Sequence, residues 1–144
     1  MAKYAQHKKK PEEISERARR LNAQAITVNI HDHMMFEFAI RKALGQKDIF
    51  NTWYLPQLKR GGFNVVATTI GSNSPCLSNL TDDLVFGAME QWDMLREEEK
   101  TAGTFRICTN VAQIRQTVAE GKIALLLAFE GARALHGRAG EDSM

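Results

Sequence analysis

Apolar positions along this chain fall into short β-type runs separated by stretches of helical spacing. Residues 25–30 alternate Ile26, Val28 and Ile30, which predicts a strand buried on that side. Residues 64–70 are β-branched and mostly apolar, as a strand of a parallel sheet should be. Residues 123–129, Ile-Ala-Leu-Leu-Leu-Ala-Phe, form the most apolar run of all. Pro11, Glu12 and Glu13 predict a helix start, and that helix should reach Asn22 with Ile14, Ala18 and Leu21 on one side. Residues 34–50 read as a long loop with some helix over 37–44, ended by Gly45. Asn51 can cap a short helix that Gly61 and Gly62 stop. Thr81, Asp82 and Asp83 cap a long helix over 82–101, with Leu84, Ala88, Trp92 and Leu95 as its expected buried stripe. Residues 104–108 read as a short strand or extended connection, and Thr109 and Asn110 cap a helix that runs to Ala119 before Gly121. Strand alternating with helix is the pattern of a parallel α/β sheet, whose chemistry gathers at the C-terminal ends of its strands.

The length of 144 residues fits one domain, and 44% hydrophobic with 25% charged residues describes a globular protein. Residues 1–10 read as a disordered lead-in and 136–144 as a frayed end, which leaves 11–135 as the folded part. A net charge of +2 does not point to nucleic acid. The basic residues Lys8, Lys9, Lys10, Arg17, Arg19 and Arg20 read as a solvated helix face. Cys76 and Cys108 have no C-x-x-C partner and read as free thiols. The N-terminus lacks the apolar core of a secretory signal, and no apolar run reaches the ~20 residues of a membrane helix. A cytoplasmic protein without a transmembrane segment is the expectation.

His31 and His33 sit two positions apart where the first strand meets its loop. Alternation puts both imidazoles on one side and Asp32 on the other, so the pair can chelate a divalent metal. Asp32 could orient a neighbouring group or simply meet solvent, and meeting solvent is the expectation. Glu130 follows the last apolar run directly, where a carboxylate is costly to desolvate without a cation nearby. The plainer reading of Glu130 is a capping acid or an ion pair with Arg133. Ser72 to Ser74 fall at the end of the second strand, whereas His7 and His136 fall outside the pattern and read as bystanders.

Four stretches carry a resemblance in register. They are Asn29-Ile-His-Asp-His33, Leu55-Pro-Gln-Leu-Lys-Arg-Gly-Gly-Phe63, Glu90-Gln-Trp-Asp93, and Gly121-Lys-Ile-Ala-Leu-Leu-Leu-Ala-Phe-Glu-Gly131. They are similar, respectively, to the D-x-H-x-D, L-x-x-L-x-x-G-G-V, E-Q-I-D and G-K-I-A-x-L-x-x-x-E-G patterns of one family. From about residue 12 to 135 the chain resembles the membrane (renal-type) dipeptidases, peptidase family M19, of the metal-dependent amidohydrolase superfamily. The resemblance implies the N-terminal part of a (β/α)8 barrel that holds two zinc ions and cleaves dipeptides with a metal-bridging hydroxide. It implies that His31 and His33 are metal ligands and that Glu130 bridges the two metals.

Two departures qualify what is implied. His33 stands where the family has an aspartate, and Asn29 also replaces an acid. The family's further metal ligands and its acid/base aspartate lie on later strands, so the chain is expected to be inactive or weak alone. Two other functions fit the same residues: a non-catalytic partial barrel that assembles with another chain or as a homo-oligomer, and an amidohydrolase acting on another amide or a lactone.

Overall fold

The computed structural model describes residues 14–71 and 84–129. They form α1 (Glu16–Gln24), β1 (Val28–Asp32), α2 (Met35–Ala43), a π-helical turn (Phe50–Tyr54) leading into α3 (Leu55–Gly61), and β2 (Val65–Ile70). After these come α4 (Leu84–Ala102), β3 (Phe105–Ile107), α5 (Val111–Ala119) and β4 (Ile123–Phe129). The expected lead-in, the helix start at Pro11, the loop at Ser72 to Ser74, the cap at Thr81 and the tail 136–144 lie outside the described residues.

All four strands are parallel, in the order β1-β2-β4-β3. β2 and β4 pair without a break from Val65↔Ala124 to Ile70↔Phe129. From β2 the chain passes over β4 to β3, then steps back to β4. Parallel crossovers are right-handed, so this reversal of direction sends the two connecting helices to opposite faces of the sheet. α4 joins α2 and α3 on one face, where Phe38, Phe50, Leu58, Val66, Leu95 and Leu125 belong to the main core. α5 covers part of the other face, with Ile114 and Val118 against Val65, Cys108 and Ala124.

Several elements differ from the sequence expectation, each for a physical reason. α1 begins at Glu16 because Ser15 caps it, its hydroxyl accepting from the Ala18 N–H at 3.3 Å. None of its residues is buried, so Ile14 and Leu21 form no packed stripe. β1 occupies 28–32 instead of 25–30, since pairing with β2 starts at Val28↔Val65. Ile26, Val28 and Ile30 are 46%, 46% and 81% exposed, because no described element packs on that side of β1. Most of the expected loop over 34–50 is helical, as α2. Asn51 is not a cap: its amide donates to Asp48 Oδ1 and to Ala102 O, and its carbonyl accepts from the Thr104 hydroxyl. Gly62 ends α3 as expected at φ +72°, and a Cβ there would meet Asn22 Nδ2 at 2.1 Å. On α4, Ala88 and Leu95 are buried but Trp92 is 38% exposed.

β1 also carries a bulge. From Asn29↔Val66 to Asp32↔Thr68, β1 advances three residues while β2 advances two. Val66 and Thr68 share a face of the sheet, so the extra residue brings Asn29 and Asp32 to one face as well.

Candidate metal centre

The bulge decides where the first candidate side chains point. Asn29 Nδ2 donates to Asp32 Oδ2 at 3.3 Å on the face that carries α2 and α3. Asp32 Oδ1 accepts from the Met34 N–H at 2.8 Å, so this carboxylate fastens the first turn of α2. The expectation that Asp32 meets solvent is therefore corrected: it is half-buried with both oxygens engaged. Tyr54 donates its hydroxyl to Met34 O at 2.9 Å from the other side of the same turn. Burial, and then the Glu37 charge, push the Tyr54 hydroxyl from 10.0 up to about 12. A cavity of about 530 Å³, lined by Asn29, Asp32, His33, Phe36, Tyr54 and Gln57 among others, lies beside this turn.

His31 and His33 come together where β1 ends, and His33 also lines that cavity and packs edge-on against Phe36. Their Nε2 atoms stand 2.9 Å apart, with the ring centroids at 4.5 Å and the planes nearly perpendicular. Two imidazoles bound to one tetrahedral zinc at about 2.0–2.1 Å would hold their nitrogens about 3.3 Å apart. The observed pair needs only a few tenths of an ångström of adjustment to accept such an ion. Both rings are exposed to solvent, so a metal has a path to them. The donor set, two imidazoles at a strand end, fits zinc.

One residue the sequence did not single out joins this site. Thr69, 8% exposed near the end of β2, places its hydroxyl 3.3 Å from His33 Nδ1 and 3.3 Å from Asp32 O. The neighbouring Thr68 hydroxyl donates to the same Asp32 carbonyl at 3.3 Å. The available signal was two hydroxyls in an otherwise apolar strand, on the element expected beside the histidine strand.

Glu130, Arg133, Ser72 to Ser74, Cys76, His7 and His136 lie outside the described residues. Glu130 follows Phe129, whose partner on β2 is Ile70, one residue past Thr69. Among the described residues no group of three or more His, Cys, Asp or Glu side chains converges on a possible ion, and the candidate donors there are the two imidazoles. Cys108 is a buried free thiol packed under α5, away from this centre. No helix among the described residues is long and apolar enough to cross a membrane.

Residues 15–141 match the family model described as membrane dipeptidase (peptidase family M19). No curated protein matches. Among solved structures, the chain is similar to one titled dipeptidase AC, a metallopeptidase of family M19, at 22% identity and a TM-score of 0.60. That likeness covers 76% of this chain and 36% of the other. A metallopeptidase from Rhodobacter sphaeroides, solved with a phosphinate mimic of the dipeptide L-Ala-D-Ala, is similar at 19% identity and a TM-score of 0.61. Here 76% of this chain and 39% of the other are covered. The chain thus spans well under half the length of either structure. The parallel sheet with its helices is part of the same (β/α)8 barrel fold.

Proposed function

The chain belongs to the membrane dipeptidase family, peptidase family M19, and from that membership we propose that it carries the first ligands of a zinc dipeptidase centre. His31 and His33 would hold one side of that centre, and Glu130 would bridge a pair of zinc ions. The observation that carries the reading is the 2.9 Å approach of the two Nε2 atoms at a strand end. When bound, the metal supplies polarisation of the scissile carbonyl and activation of the attacking water. Everything else is the work of the chain's own residues. The β1 bulge and the Asp32 carboxylate on the Met34 N–H fix the backbone that presents both rings, and the main core under β2 and β4 holds the floor of the site. The substrate class follows from the family and from the dipeptide mimic bound to the similar Rhodobacter sphaeroides structure.

Zinc titration of residues 1–144 tests the reading. Wild type should bind zinc, and His31→Ala or His33→Ala should weaken it by more than the ~10–100-fold typical of losing an outer partner. Unchanged zinc affinity in both variants would overturn the assignment. Dipeptide hydrolysis by the same chain is expected to be slow or undetectable, because three strand-end donors are too few to hold two four-coordinate ions. Robust turnover would contradict that count.

A further inference from the structure

Thr69 touches His33 at Nδ1, the nitrogen turned away from His31. We infer that Thr69 is a positioning residue that holds His33 in the Nδ1–H tautomer, leaving the Nε2 lone pair for a metal. The inference rests on the metal reading above, in which His33 is a ligand, and a neutral histidine offers a lone pair from one ring nitrogen only.

The argument is a count of protons. A carbonyl oxygen only accepts, so the contact between Thr69 Oγ1 and Asp32 O requires the hydroxyl to donate. A threonine hydroxyl has one proton, and once it is given to Asp32 O the oxygen can only accept from His33. Both contacts are therefore satisfied together only when His33 Nδ1 carries the hydrogen. In the neutral ring Nε2 is then the unprotonated nitrogen, and it faces His31 Nε2 at 2.9 Å. Metal-bound histidines commonly donate their other ring N–H to such an oxygen, which fixes the tautomer and the ring angle. Thr69 is nearly buried and sits on a central strand paired on both sides, so its hydroxyl is held in place by the sheet.

Thr68 supplies the control. It is fully buried, and its hydroxyl donates to the same Asp32 carbonyl. A purely structural role for these hydroxyls predicts similar effects from both residues. The inference predicts a difference.

The experiment measures zinc affinity by competition with a chelating dye for wild type, Thr69→Val, Thr69→Ser and Thr68→Val. The His33 tautomer is read in parallel from long-range nitrogen–proton NMR correlations of metal-free protein. The expected result is a roughly 10–100-fold loss of zinc affinity in Thr69→Val. Thr69→Ser and Thr68→Val should stay near wild type, and His33 should be Nδ1-protonated in wild type. Equal affinity in Thr69→Val and wild type, or an equal loss in Thr68→Val, overturns the inference. So does an Nε2–H tautomer in wild-type His33, a reading that still decides the matter if Thr69→Val does not fold. A wild-type chain that binds no zinc but has His33 Nδ1-protonated would refute the metal reading and leave the Thr69 contact standing.

Discussion

Tyr54 shows how one side chain can tie the histidine segment to the core. Its hydroxyl donates to Met34 O, in the turn where Asp32 takes the Met34 N–H. Ionisation would remove that donor and place a charge near Glu37 in a half-buried setting, hence the rise from 10.0 to about 12. The raised value means that the folded state holds the proton more tightly than the unfolded chain does. The associated stability is fully present below pH 10 and is lost as pH climbs towards 12. Discounted for partial exposure, the loss should be on the order of 1–2 kcal/mol. Urea unfolding at pH 9 and at pH 12 checks this: wild type should lose that much more stability than Tyr54→Phe, and an equal loss in both would refute it. At this scale the sequence was partly legible. The i, i+2 spacing of His31 and His33 is local and survives the bulge. The role of Asp32 was not legible, because it depends on the turn that follows and on the extra residue in β1. The contact of Thr69 was not legible for a different reason: its hydroxyl stands out in an apolar strand, but only strand pairing brings it to a histidine 36 positions earlier.

At the scale of elements, α4 is the most instructive. Apart from Gly87, its buried positions are Ala88, Gln91, Leu95, Glu98 and Ala102, spaced alternately three and four apart as on one helix face. Two of the five are polar, so reading hydrophobic residues alone shifted the stripe by one position onto Trp92. The polar members have work to do in the fold. Gln91 Oε1 accepts from the Gly71 N–H at 2.9 Å, and Glu98 Oε1 accepts from the Phe50 N–H at 3.0 Å. Glu99, beside them, takes the Ile107 N–H at 2.8 Å. One helix thus satisfies backbone donors at the end of β2, at the π-helical turn and on β3. The first N–H groups of any helix lack partners of their own, which is why Phe50 needs one from outside. Removing the acceptor in Glu98→Ala should cost about 2–3 kcal/mol, the price of a buried unpaired N–H plus lost packing. Glu98→Gln keeps a carbonyl oxygen in place and should cost about 1 kcal/mol or less. Chemical denaturation of the two variants provides the check, and equal costs would mean that Glu98 acts by packing alone. α5 and β4, by contrast, matched their expected spans closely, because Asn110, Gly121 and the apolar run mark their ends by local chemistry.

At the scale of the whole molecule, strand and helix alternation made the parallel sheet legible, but the strand order was not. β3 is three residues long, too short to carry a pattern, yet its place outside β4 reverses the chain and sends α5 to the opposite face. The outer edge of β1 has no strand partner among the described residues, and its open side exposes Val28 and Ile30. Over the C-terminal ends of β2 and β4, Met89, Trp92 and Phe129 are 62%, 38% and 45% exposed around an apolar cavity of about 400 Å³. An unpaired edge flanked by apolar side chains is a template for pairing with another chain. Residues 1–144 should therefore self-associate as concentration rises, with β1 the more exposed of the two regions. A lysine on an edge strand opposes such pairing by charge and desolvation. Ile30→Lys, at a site already 81% exposed, should leave the fold's stability nearly unchanged while increasing the monomer fraction in light scattering after size exclusion. Phe129→Lys should have a smaller effect, because that strand end is already paired to Ile70 on one side. A chain that stays monomeric up to millimolar concentration, or that associates equally with lysine at 30, would show that β1 is not the contact.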